Sequence, residues 1–367
     1  MVYRAIGIMS GSSLDGLDIV FAELHENAGK WTYEIIKADC YPYPPEWSEK
    51  LRLAITLNAL QYQLLHVEYG HYIGHDVNRF IEENGLQYQV ALIASHGHTT
   101  FHIPAKKMTA QLGDGAAIAA ETGLPVVTDL RALDVALGGQ GAPIVPIGEK
   151  LLLGDYDYFL NIGGIANISV TKNSNRIAFD VCPANRVLNM LANDAGKEFD
   201  EGGQLASTGK VHEALLAELN QLVYYSQPYP KSLANDFGTD AVYPIIKNFG
   251  LNTNDALRTY VEHVAVQIKH AIASLGNDSG FPTSVSRLLV TGGGAFNNFL
   301  IQLLKEELQS LNIVVVIPNE HLVKYKEALI MALIGVLRWR EEYNVLSSVT
   351  GATRDSIGGA LWNGQEA

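Results

Sequence analysis

The chain has 367 residues, 47% hydrophobic and 18% charged, a composition that suits a globular protein with room for two cores of ordinary size. Its formal charge of −13 argues against a nucleic-acid binder, whose affinity rests on Lys and Arg neutralising phosphates, and favours a small-molecule partner. Cys40 and Cys182 lack CxxC spacing, no apolar run approaches the ~20 residues of a membrane span, and the start MVYRAIGIMSG is too brief for a secretion signal, so a reduced, cytoplasmic protein without membrane contact is expected.

In chain order, Tyr3–Met9, Leu17–Leu24 and Trp31–Ala38 read as three strands rich in Ile, Val, Tyr and Phe, separated by turn-forming residues and expected to form an antiparallel meander. A helical region follows from about Ser48 to Asn84, with Leu51, Ile55, Leu64, Leu65, Val67, Ile73, Val77 and Phe80 as expected core contacts. Val90–Ser95 reads as a buried strand, Asp114–Glu121 as an Ala-rich helix and Pro125–Thr128 as another strand. After a Gly138–Pro143 loop the order begins again. Tyr156–Ile162, Ile165–Val170 and Arg176–Asp180 read as strands, and a mostly helical stretch runs from Pro183 to about Leu275, interrupted near Gln227–Gly238. Arg287–Thr291 is then a strand, Ala295–Leu311 a helix, Ile313–Ile317 a strand and Tyr325–Tyr343 an apolar helix. The topology repeats although the sequence does not. Two such lobes facing one another would create a cleft for chemistry.

Three glycine-rich turns, each directly after a strand, are the most informative motifs: GSSLDG at Gly11–Gly16, NIGGIAN at Asn161–Asn167 and TGGGAFN at Thr291–Asn297. Bare turns let backbone N–H groups approach an oxygen-rich anion, and three of them point to a nucleotide polyphosphate. In the first, Ser12 and Ser13 would add hydroxyl donors, Asp15 a carboxylate for hydrated magnesium, and Asp18 further support; an ordinary hairpin turn uses the same residues. In the second, Gly163 and Gly164 would lie between Asn161 and Asn167 at the equivalent hairpin. In the third, Gly292, Gly293 and Gly294 would admit a flat ring or ribose, with Asn297 at its edge. Neither a Walker A loop nor a GxGxxG after a strand competes.

Asp180 closes a strand ahead of Val181-Cys182-Pro183-Ala184-Asn185, and either acts as general base or caps a helix beginning near Pro183. His96, His98 and His102 of SHGHTTFH stand on an expected loop as polar substrate contacts, structural histidines or, on spacing alone, zinc ligands. Arg131, Asp134 and Gln140 are of the kind that grip sugar hydroxyls and carboxylates, or else pair to tie the lobes together.

With these motifs in view the chain resembles the anhydro-N-acetylmuramic acid kinases, a family of the actin, sugar-kinase and heat-shock-chaperone ATPase superfamily. The resemblance spans GIMSGSSLDGLD, SHGHTTFH, QLGDGAAIAAETGLPVVTDLRALDVALGGQGAPIVP, NIGGIANIS, PKS at Pro230–Ser232, VTGGGAFNN, KEALIMALI and VTGA; Gln111–Pro146 is the most specific stretch. It implies an α/β, two-lobed actin-like ATPase fold of duplicated βββαβαβα, ribonuclease H-like domains. Residues 1–140, completed by 345–367, would form one lobe and 141–344 the other. It further implies that ATP phosphorylates the 6-oxygen of 1,6-anhydro-N-acetylmuramic acid while water opens the anhydro bridge, giving N-acetylmuramic acid 6-phosphate and ADP in murein recycling. Asp180 matches the family's catalytic aspartate; magnesium and the glycine turns would neutralise the transferring phosphoryl group; His96, Arg131, Asp134, Gln140, Asn185 and Glu327 would hold the sugar. A homodimer is a possible assembly. Other sugar or polyol kinases and a nucleotide-driven protein-binding switch share the scaffold. The chain departs from the family's common FDTGPGN at Val181, Cys182 and Ala184, exchanges expected to narrow the sugar pocket or alter closure, and carries His98 where Gln is frequent and Ser12 where Thr is.

Overall fold

The structure is a computed structural model and describes residues 1–11, 14–172, 175–229, 231–234, 236–276 and 285–364. Among them the strands are β1 Val2–Ser10, β2 Gly16–Asn27, β3 Lys30–Pro42, β4 Leu92–Ser95, β5 His98–Ile103, β6 Met108–Leu112, β7 Val126–Thr128, β8 Tyr158–Ile162, β9 Ile165–Lys172, β10 Asn175–Pro183, β11 Ser286–Thr291, β12 Ile313–Val316 and β13 Ala360–Trp362. The chain divides into two units, Met1–Gly154 with Tyr325–Ala367, and Asp155–Lys324.

Both boundaries thus differ from the expected 140/141 and 344/345. The Pro146–Leu152 helix and residues 325–339 of the Glu320–Trp339 helix pack together within the first unit. Gly148 has no room for a side chain against Ile330, and Lys326 Nζ meets Glu149 Oε1 at 3.1 Å, both buried. A buried ion pair loses several kcal/mol if one partner goes, so this one holds the two helices in register.

The two units share a five-stranded sheet, to which the first adds β13 antiparallel to β7. In the first the order is β13-β7-β4-β1-β2-β3, in the second β10-β9-β8-β11-β12. An antiparallel meander (β1-β2-β3, β8-β9-β10) is extended on its first strand by two parallel strands (β4 and β7, β11 and β12). The duplicated order read from the sequence recurs in both units, with the β5–β6 hairpin added in the first.

Local chemistry explains the elements. β1 is buried from Ala5 to Gly7 and at Ile8, and Gly7 is glycine because any Cβ would overlap Ala328 O and Ala332 N of the helix above it. The Ala59–Glu83 helix starts where Asn58 Oδ1 accepts from the Gln61 amide and buries Leu65, Tyr69, Ile73, Val77 and Phe80, one stripe at spacings of four and three. Leu64 and Val67, expected in that core, fall on the opposite face and are exposed, as is Ile55 in the turn before the helix; Leu51 is buried as expected. The SHGHTTFH segment is not a loop: from His98 onward it is β5, hairpinned to β6. In the second unit the sheet buries Leu160, Ile162, Ala166 and Ile168 against a core that includes Tyr260, Val261, Val264 and Ile268 of the Thr253–Gly276 helix. Among the described residues no helix is long and apolar enough to cross a membrane.

Candidate active site

In the second unit, strand register collects the polar residues. Thr291 pairs with Asn161, Asn161 with Asn167 and Asn167 with Asp180, so four polar side chains form one row on one sheet face, across β11, β8, β9 and β10. The row is joined at its start, Thr291 Oγ1 donating to Asn161 Oδ1 at 3.4 Å. Beyond its end lie the glycine turns. The amides of Ala184 and Asn185 donate to Gly164 O and Gly163 O at 2.8 and 3.0 Å, and Asn185 Nδ2 donates to Ile162 O at 3.1 Å. The same Nδ2 is 3.4 Å from where a Cβ on Gly293 would stand. The NIGG turn, the TGGG turn and Asn185 therefore meet in one place.

The glycines there are of two kinds. Gly292 (φ +80°) is left-handed and a Cβ on it would sit 2.6 Å from Asn161 Oδ1; on Gly294 it would overlap Ile162. Both are glycine because the fold requires it. Gly163, Gly164 and Gly293 have ordinary φ, and a Cβ would find its nearest neighbours at 3.6, 3.7 and 3.4 Å. Among the described residues nothing demands glycine at these three.

Asp180 is half-buried, and burial pushes its carboxyl above the ordinary range, partly offset by the Leu233 amide that donates to Oδ2 at 2.9 Å. It does not cap a helix. β10 runs on through Pro183, and Ala184 precedes the Asn185–Asn193 helix without a side-chain cap. Val181, Cys182 and Ala184 are all buried in the unit's core, so the exchanges from the family pattern fall on packing positions. Asn297, expected at the ligand's edge, is committed elsewhere: its Oδ1 accepts from the Leu300 amide at 3.0 Å and caps the Asn298–Gln309 helix.

In the first unit the β1–β2 turn carries Gly11 and Asp15, while Ser12 and Ser13 lie outside the described residues. Gly16 is bare for packing, since a Cβ would come within 2.7 Å of Cys40 Sγ and Tyr41 O. Asp18 pairs across β2–β3 with Cys40. Its acid is pushed up to about 6, by burial first and then by the charges of Asp15 and Glu327, against a hydrogen bond from the Cys40 thiol. Asp15, Asp18 and Glu327 thus form an acidic neighbourhood.

Arg131 adjoins it. Burial lowers its guanidinium to about 10, with Glu327 and Asp134 opposing, so it stays charged at neutral pH. Arg131 Nε donates to His96 Nε2 at 2.7 Å and Nη1 to Gly141 O at 2.6 Å. Because Nε can only donate, His96 is neutral with its proton on Nδ1, which gives it to Gly97 O at 2.8 Å. Burial and the Arg131 charge drive the His96 pKa down to about 3. With both nitrogens engaged, His96 orients Arg131. Asp134, also expected on the sugar, is 0% exposed. Its oxygens accept from the Gly141 amide and Thr350 Oγ1, both at 2.7 Å, so it fastens the loop to the VTGA segment. Gln140 has an exposed side chain and ties its amide to Thr350 O at 2.8 Å. The three histidines do not converge on a metal: His98 Nδ1 meets Ser10 Oγ at 3.3 Å and His102 Nδ1 meets Thr109 Oγ1 at 3.0 Å.

Each unit is thus a meander plus two parallel strands, with glycine turns at the strand ends. The anhydro-N-acetylmuramic acid kinase family matches residues 3–364, and the chain belongs to that family. It is 34% identical over 371 residues to the anhydro-N-acetylmuramic acid kinase of Vibrio parahaemolyticus serotype O3:K6, covering 98% of each chain. It is 33% identical over 372 residues to that of Sulfurovum sp. strain NBC37-1, covering 98% of this chain and 99% of the other. Among solved structures, the activator of the 2-hydroxyisocaproyl-CoA dehydratase from Clostridium difficile with bound ADPNP aligns with a TM-score of 0.45 at 13% identity, over 92% of this chain and 96% of that one.

Proposed function

We propose that the protein transfers the terminal phosphoryl group of ATP to the 6-oxygen of 1,6-anhydro-N-acetylmuramic acid while water opens the anhydro bridge. The products would be N-acetylmuramic acid 6-phosphate and ADP, formed in the cytoplasm during murein recycling. One observation carries the nucleotide part: Gly163, Gly164 and Gly293 cluster around Asn185 with no internal need for glycine. Bare backbone of that kind serves a ligand that must come closer than a side chain allows.

Asp180 is the base. With Oδ2 held by the Leu233 amide, Oδ1 has no hydrogen-bond partner among the described residues and is free to take a proton from water. That water attacks the anomeric carbon, the bond from that carbon to the bridging 6-oxygen breaks, and the released 6-oxygen takes the phosphoryl group. Neither an exposed alkoxide nor a separate hydrolysis is then needed. Arg131, oriented by His96, supplies a fixed guanidinium for the sugar's carboxylate, with Gln140 and Glu327 as further sugar contacts. Asn185, expected on the sugar, would in this reading serve the nucleotide cradle, since it donates to Ile162 O beside Gly293.

The residues fit magnesium in its hydrated form. Asp15, Asp18 and Glu327 raise the local negative potential, yet among the described residues no three His, Cys, Asp or Glu side chains are grouped to ligate an ion directly, so the ion would be held through its waters. When bound it would supply charge neutralisation at the transferring phosphoryl group.

The test is ADP release with the anhydro-sugar beside unbridged amino sugars, run in labelled water. Turnover of the anhydro-sugar with one labelled oxygen at the anomeric carbon is expected. Turnover of unbridged sugars alone, without label, would overturn the reading.

A further inference from the structure

Asp180 stands on β10, an edge strand whose only partner strand among the described residues is β9. Its N–H and C=O turn outward, and an edge strand would leave them to solvent. Here neither is left. The Asp180 amide donates to Lys231 O at 3.4 Å, and the Tyr224 hydroxyl donates to Asp180 O at 2.6 Å. With the Leu233 amide on Oδ2, three hydrogen bonds from residues 224–233 converge on one aspartate. Immediately after it the β9–β10 ladder slips, between Asp180 and Cys182, so the regular sheet does not fix the orientation on that side.

The segment is itself closed by Lys231. Its ammonium donates to Tyr224 O at 3.2 Å and lies 4.6 Å from the centre of the Tyr224 ring. A cation over an aromatic face adds to the hydrogen bond without fixing a direction, which suits a brace.

We infer that Tyr224, braced by Lys231, is a positioning residue for the reaction: its hydroxyl pins the main chain of Asp180 so that the free carboxylate oxygen faces the attacking water. This rests on Asp180 being the base. Tyr224 touches no reacting atom. Its effect should fall on the chemical step and spare the binding of both substrates.

The test compares Tyr224→Phe, Lys231→Met and Asp180→Asn, singly and as Tyr224→Phe/Asp180→Asn, by kcat, KM for each substrate and melting temperature. Tyr224→Phe is expected to lower kcat by about ten- to a hundredfold, the scale of a misplaced catalytic group, with both KM values and the melting temperature nearly unchanged. Lys231→Met should show the same split, more weakly. On the Asp180→Asn background, Tyr224→Phe should cost nothing further, because the group it positions is gone. Wild-type kcat in Tyr224→Phe beside an inactive Asp180→Asn would overturn the inference and leave the base intact. Full activity in Asp180→Asn would overturn the base assignment and the inference with it. If Tyr224→Phe melts early, Lys231→Met decides: a raised KM with unchanged kcat would show a structural role only.

Discussion

Substituting neighbouring glycines of one turn separates what the fold needs from what the ligand needs. In Gly292→Ala the new methyl meets Asn161 Oδ1 at 2.6 Å and Ile162 O at 2.7 Å, at a φ of +80°. The left-handed backbone costs an alanine about 1–2 kcal/mol, and a clash with main chain that cannot swing aside adds about 1–3 kcal/mol. A loss of about 2–5 kcal/mol follows, read as a melting temperature lower by several degrees. In Gly293→Ala the nearest atom is Asn185 Nδ2 at 3.4 Å and φ is ordinary, so stability should stay within about 1 kcal/mol of wild type. If ATP lies on that backbone, the methyl occupies ligand space, and the KM for ATP should rise by about tenfold or more while the KM for the sugar holds. Gly163→Ala and Gly164→Ala should behave like Gly293→Ala, having equal room. The assays are thermal melting and coupled ADP release at varied ATP. A folded Gly293→Ala protein with wild-type KM for ATP would refute the reasoning, because the glycine would then have neither an internal nor an external cause.

The other predictions concern protons and packing. Asp180→Asn should cut kcat by about 10²–10⁴-fold with ATP binding kept, measured by turnover beside nucleotide titration. Since burial raises the Asp180 carboxyl, the wild-type rate should fall on acidification at a pH above the usual carboxylate range, where the base becomes protonated. His263, wholly buried between Asn220 Oδ1 at 2.6 Å and Tyr225 OH at 3.0 Å, has its pKa pushed down from 6.5 to about 3 by burial. The unfolded chain therefore takes up a proton that the fold refuses, so the stability this residue contributes is complete above pH 6.5 and drains as pH falls toward 3. Between pH 7.5 and 5 that is about 2 kcal/mol, and His263→Gln should remove about that much of the change in stability over the interval, measured by urea unfolding at each pH. Asp134→Ala orphans the Gly141 amide and leaves the Thr350 hydroxyl only its longer bond to Leu346 O at 3.4 Å, and should cost about 1–3 kcal/mol by urea unfolding. Gly7→Ala should destabilise by about 3 kcal/mol or more, since the methyl would overlap Ala328 O; a melting temperature equal to wild type would contradict that packing.

Much of the fold was legible because it is written in local signals. Strands of Ile, Val and Tyr bounded by Gly and Asn, the second βββαβ run and the glycine turns at strand ends all follow from period and turn chemistry. Where the reading went astray, the deciding partner lay far along the chain. Leu64 and Val67 are as apolar as Leu65, and only the neighbours of the Ala59–Glu83 helix decide which stripe is buried. Asp134 and His96 look like ligand groups in sequence, but Thr350, Gly141 and Arg131 consume them. Asp180 before Val-Cys-Pro reads on local grounds as a cap, and Leu233, 53 residues later, settles where its carboxylate points. The PKS motif marked Lys231 without indicating its partners, and nothing local marks Tyr224, whose hydroxyl finds a carbonyl 44 residues away.

The two lobes also show how one scaffold diverges in chemistry at matching points. The first hairpin turn of each lobe follows the first strand, β1 or β8, at the same place in the same topology. In one lobe that place carries acidic side chains, Asp15 in the turn and Asp18 just inside β2, where burial raises the cost of an anion. In the other it carries Gly163 and Gly164, bare backbone with the Arg186 guanidinium beside Gly164. A carboxylate repels a phosphate unless a cation stands between them, whereas a bare amide attracts it directly. On the proposed function, then, the first turn would act through a cation and the second would meet the phosphate directly. Asp15→Asn should accordingly raise the magnesium concentration needed for half-maximal rate, and Gly163→Ala should raise the KM for ATP without moving that requirement. A shift of both quantities in both variants would show that the turns do not divide the work in this way.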